Sequence, residues 1–105
     1  MKTLKIKAEY GCSPIWIKEE GGIFENILID DEGLSLPVEI MEVLKKWQDE
    51  YENTYDENYP PDSAFSSLDA EKLFNQNGVK IWNDLIEYFN GKFKVIYFDV
   101  LENKL

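Results

Sequence analysis

Cys12 is the only thiol in the 105-residue chain and lies in the stretch Glu9–Trp16, EYGCSPIW, between Gly11 and Ser13. A cysteine nucleophile attacks as thiolate, which requires a histidine or a cationic setting to hold it. The chain contains no histidine, and no lysine stands beside Cys12. Cysteine catalysis is not expected. Gly11 permits unusual backbone angles and Pro14 blocks ladder pairing on its N–H side, so the stretch reads as a kinked strand junction flanked by the buried rings of Tyr10 and Trp16. Contact of Cys12 or Trp16 with a partner stays open.

Other chemistry finds little support. The clusters IDDEG (29–33) and YENTYDENYPPD (51–62) supply oxygen ligands for a hard cation, but neither has the ligand order of an EF-hand loop with its glycine and closing glutamate. Gly21-Gly22 sits among acids and lacks the Gly-x-x-x-x-Gly-Lys spacing of a phosphate loop. Two carboxylates can act as acid and base by position alone, which no spacing reveals. No catalytic, cofactor-binding or metal-ligating residue is therefore assigned, and the chain reads as a non-enzyme.

Charge is the feature that remains. The formal net charge is −10, and Glu19–Glu71 carries 16 acids against only Lys45 and Lys46. Such a field repels nucleic acid and anionic membranes and attracts basic proteins; the plain alternative is that acidity only maintains solubility. Between Trp47 and Asp62 there are six acids, no lysine, and tyrosines at 51, 55 and 59. Tyrosine offers stiff contact area with a polar tip, and surrounding carboxylates steer a basic partner. Asp49, Glu50, Tyr55, Asp56, Glu57 and Tyr59 are the candidate partner-binding residues, whereas Tyr51 reads as core.

The elements that position them follow from periodicity. In Thr3–Tyr10, Leu4, Ile6, Ala8 and Tyr10 alternate with Lys5, Lys7 and Glu9, the pattern of a strand with one buried and one wet face. Ile15–Lys18 and Ile23–Ile29 read as short strands around a Glu19–Gly22 turn. After a polar loop over 30–36, Pro37 suits the first turn of a helix whose stripe is Ile40, Leu44, Trp47, Tyr51 and Tyr55, fraying near Tyr55 and stopped by Pro60-Pro61.

Ser66 or Ser67 caps a second helix whose buried face is Ala70, Phe74, Gly78, Ile81, Leu85 and Tyr88, with Val79, Trp82 and Ile86 as a second flank and Gly91 ending it. Gly78 on that stripe implies close approach of a neighbour, a local break being the competing account. Phe93–Leu101 is apolar on both faces, which argues for a central strand returning beside the first. The order β-β-(β)-α-α-β predicts one α+β domain over residues 1–105, a two-layer sandwich of two helices on a mixed or antiparallel sheet of three or four strands. A lone cysteine, no long apolar run and lysines alternating at the amino terminus predict a soluble cytoplasmic protein with no signal peptide.

AEYGCSPIW near the start, LSLPVEIMEVLKKWQDEY in the middle and the aromatic final strand together resemble a group of short acidic bacterial proteins of mostly unassigned function. In size and charge the chain is also similar to immunity proteins of bacterial toxin systems. That second resemblance implies an inhibitor of a basic toxin or nuclease, with mimicry of nucleic acid in a basic groove as a related variant. An accessory or housekeeping protein of unknown partner is the alternative, and a small enzyme the third.

Overall fold

The computed structural model describes residues 1–99 apart from the side chain of Asp62. Four strands, β1 (Thr3–Ile6), β2 (Ile15–Lys18), β3 (Glu25–Ile27) and β4 (Lys94–Tyr97), accompany two helices, α1 (Val38–Glu52) and α2 (Leu68–Phe89), in the order β-β-β-α-α-β. The sheet order is β3-β2-β1-β4, with β4 parallel to β1 and the other pairs antiparallel. The predicted two-layer α+β architecture is correct, and its sheet is mixed.

Register sorts the side chains into two faces. Val95, Leu4 and Ile17 form one cross-strand row and Tyr97, Ile6, Ile15 and Ile27 the next. These rows meet the helices, and Leu4, Ile6, Ile15, Leu44, Trp47, Phe74, Ile81 and Leu85 are at most 2% exposed. Among the described residues no helix covers the opposite face, where Lys94, Thr3 and Lys18 make one row and Ile96, Lys5, Trp16 and Asn26 another.

α2 runs unbroken through Gly78, as its stripe requires. A β-carbon at that position would meet the Tyr97 hydroxyl and stand 2.8 Å from Trp47 Cζ2. The glycine is thus what lets α1, α2 and β4 converge. Trp47 is fixed there by stacking on Phe74, centroids 4.6 Å apart, and by donating its indole N–H to the Phe74 carbonyl at 2.9 Å. The second flank also finds its neighbour: Trp82 stacks on Tyr97 and donates to the Val95 carbonyl. Of the two candidate caps, Ser67 accepts from Ala70 N–H at 3.0 Å, and Asn90 ends the helix in the left-handed region at φ 45°.

Several expectations change. β1 stops at Ile6, because Glu9–Cys12 turns with Gly11 at φ 73° and Cys12 N–H donating to the Glu9 carbonyl. β3 is shorter than the expected Ile23–Ile29, and Ile23 is 83% exposed. Pro37 precedes α1 as its N-cap, and the loop before it is only partly polar in function, since Leu34 and Leu36 are buried. Phe89 takes the buried place predicted for Tyr88, whose hydroxyl reaches the Ser35 carbonyl. β4 lies at the sheet edge among the described residues and is not central; Val100 and Leu101 of the expected strand fall outside them.

Candidate protein-binding surface

α1 ends at Glu52 with Asp49, Glu50 and Glu52 near its C-terminus and no base in the last turn. A helix C-terminus is the negative end of the backbone dipole, so each acid there is unfavourable by roughly 0.3–1 kcal/mol when exposed. Of the three, Glu52 has hydrogen-bond partners among the described residues to offset that: its Oε1 accepts from Gly11 N–H at 2.7 Å and from Gln48 Nε2 at 2.8 Å. Gln48 Nε2 also donates to the Glu9 carbonyl, while Gln48 Oε1 is buried without a hydrogen-bond partner among the described residues. The turn at Glu9–Cys12 is therefore stitched to α1. Cys12 is a half-buried free thiol within it, and the stretch is a bend in the fold, as its residue types predict.

Beyond the helix, Tyr55 N–H donates to the Glu52 carbonyl and Asp56 organises the following loop. Its Oδ1 accepts from Asn58 N–H at 2.9 Å and Tyr59 N–H at 3.1 Å, and its own N–H donates to Ser63 Oγ at 2.8 Å. Asp56, Glu57 and Tyr59 are thereby held on one tight turn, with Glu57 exposed and Tyr59 58% exposed. A 3-10 turn at Pro60–Asp62 then closes the segment.

The tyrosines divide. Tyr10 stacks on Tyr51 with centroids 4.5 Å apart and meets the edge of Tyr55 at 5.1 Å; its hydroxyl also hydrogen-bonds Thr54 Oγ1. Tyr51 packs against Phe74 and Phe65 as a core residue, and burial, then the adjoining Tyr10 and Glu9, push its pKa up. Tyr55 is 44% exposed despite its contact with Tyr10. Glu50 departs from the group, since it lines a groove between α1 and α2 together with Lys46, Asn77 and Lys80. Asp49 is exposed on α1.

Sequence reasoning missed Glu52, Gln48 and Thr54, whose roles depend on the Glu9–Cys12 turn folding back on α1 from about 40 residues away. No local signal carries that contact. A cleft of about 400 Å³ opens beside it, lined by Tyr10, Tyr51, Pro60, Phe65 and Phe98 among others. Among the described residues no group of three or more Cys, Asp and Glu side chains is placed to hold a metal, and no helix is long and apolar enough to cross a membrane.

Fold and surface define a small α+β domain carrying an acidic helix end and a tyrosine-bearing acidic turn. Residues 2–100 match the model of a family described as Serratia CdiI immunity protein-like. The chain belongs to that family. No curated protein matches it.

Proposed function

We propose that the protein is an immunity-type inhibitor that binds and neutralises a basic bacterial toxin, a nuclease being one such activity. The observation that carries the reading is the family match over residues 2–100. Its docking surface is the end of α1 and the turn after it: Asp49, Asp56 and Glu57 supply the field there, Glu50 adds to it from the neighbouring α1–α2 groove, and Tyr55 and Tyr59 supply the contact area. The acids without a base in the last turn of α1, Asp49 above all, favour this, because they oppose the helix dipole and so act against the stability of their own element. Partner binding gives them a purpose that folding does not. Inhibition of this kind needs no chemistry from the chain, only occlusion of the toxin, and takes place in the cytoplasm.

Co-expression tests the proposal. A toxin gene encoded immediately upstream should arrest growth when expressed alone and not when expressed with this chain. Arrest that persists in the presence of folded, soluble protein would remove the inhibitor reading. Tyr59→Ala should weaken protection by accelerating dissociation while leaving the urea midpoint nearly unchanged, since the residue is 58% exposed.

A further inference from the structure

The outer face of the sheet has the opposite sign to the rest of the molecule. Lys94, Thr3 and Lys18 stand in one row and Ile96, Lys5 and Trp16 in the next. Phe98 and Lys7 continue the pattern, with Lys7 Nζ 4.8 Å from the Phe98 centroid and 6.0 Å from that of Trp16. Lys5 Nζ lies 4.1 Å from the Phe24 centroid and 5.8 Å from Trp16, and Lys18 Nζ 5.3 Å from Phe24. Ammonium groups and rings therefore alternate across the face.

Folding alone leaves this arrangement electrostatically unmatched. The chain has 21 acids for 11 bases, yet among the described residues no carboxylate forms an ion pair with Lys5, Lys18 or Lys94; Lys7 alone has one, Glu9 at 3.8 Å. Burial and the neighbouring Lys7 and Lys18 lower the Lys5 pKa, while Glu9 raises it, so mutual repulsion is part of the resting state. Trp16 is held ready, its indole N–H donating to the Lys7 carbonyl at 3.1 Å. A fixed ring among cations loses little freedom when it is covered.

We infer that this sheet face is a second docking surface, which takes a carboxylate-bearing patch of a protein partner against Lys5, Lys7, Lys18 and Lys94, with Trp16, Phe24 and Phe98 as its apolar floor. Charge complementarity selects the occupant. A nucleic acid strand offers anions too, but stacking needs free ring faces, and the Lys5 and Lys7 ammonium groups lie over those of Phe24 and Phe98. The net charge of −10 also repels an extended polyanion, whereas a local carboxylate patch on a protein meets chiefly the four lysines, with Glu9 beside Lys7 as a lesser opposing charge, once salt screens charges beyond about 8 Å. This surface stands on the other side of the sheet from the helices and does not depend on the toxin reading.

The test is a titration of the 15N-labelled full chain with hexaglutamate at about 0.15 M salt, followed by amide and indole resonances, a condition at which remote acids are screened. Shifts should concentrate at the Trp16 indole and at β1, β2 and β4 and fade at higher salt. K5Q/K7Q/K18Q should weaken binding by about tenfold or more, and K45Q/K46Q should not. If the triple variant fails to fold, Lys18→Gln and Lys94→Gln singly, each exposed enough to be tolerated, should each reduce affinity. Absent shifts, shifts centred elsewhere, an equal response to oligothymidylate of the same charge, or shifts explained by self-association would each overturn the inference.

Discussion

At Gly78 a single hydrogen atom stands where any side chain would collide with Trp47 and Tyr97. Glycine inside a helix costs about 1 kcal/mol relative to alanine, so Gly78→Leu would recover most of that propensity. The collision should outweigh it, because Trp47 is pinned by its stacking and its hydrogen bond: a net loss of about 1–3 kcal/mol is expected in urea titration. A variant at least as stable as the parent would mean that the convergence is loose. Tyr97 makes a second residue-scale prediction. Burial, then Asp99, raises its pKa strongly above the usual 10.0, and Tyr51 is raised in the same direction. In the unfolded chain both phenols ionise first as pH rises, so the unfolded state binds fewer protons and stability present below pH 10 is lost above it. Lys5 acts in the opposite sense, its lowered pKa returning stability as pH rises toward 10.5, but its ammonium is largely solvated. Urea midpoints from pH 9 to 11 should therefore fall, and less steeply in Tyr97→Phe, which has no phenol to ionise.

Helix α2 offers the clearest test at the scale of an element. Ser67→Ala should cost about 1 kcal/mol through loss of the bond to Ala70 N–H, while Ser66→Ala, one residue earlier and exposed, should be close to neutral in the same titration. The helices were legible from the chain because a stripe repeated over 15 or 22 residues is hard to mistake, and Gly78 on that stripe could only be accommodated by a close neighbour or a break. The sheet was legible in part. β1 shows its alternation correctly through Ala8, but its ladder ends at Ile6 for a tertiary reason, the turn that Glu52 and Gln48 hold from α1. β4 is apolar on both faces yet lies at the edge among the described residues, because apolarity reports what covers a strand's faces and not what lies beside it; its outer residues Ile96 and Phe98 join the lysine-and-ring face instead. The candidate site was the least legible. The spacing of Tyr51, Tyr55 and Tyr59 suggests one helical face, but α1 stops at Glu52, and the later two are placed by contact with Tyr10 and by the turn that Asp56 caps.

For the molecule as a whole, charge segregation sets how it would meet the basic partner proposed above. Association should slow several-fold from low to physiological ionic strength, and the Asp49→Asn, Glu50→Gln, Asp56→Asn, Glu57→Gln variant should slow it further with less effect on dissociation, measured by binding kinetics against the toxin. Asparagine at 56 keeps the side-chain oxygen that accepts from Asn58 and Tyr59, so the turn survives the loss of charge. Indifference to both salt and the four amides would remove steering from the account. The parallel pairing of β1 with β4 bears on a different property, the order in which the chain can assemble. Thr3–Ile6 is made before its partners and can pair with β2 early, but its other edge waits for Lys94–Tyr97, which is made only after both helices. Through that interval β1 offers open backbone bonds beside Leu4 and Ile6, side chains that are fully buried only once the helices arrive. An unpaired apolar strand edge is a template for another chain. Stalled or shortened nascent chains, and not the finished protein, should be the form that aggregates.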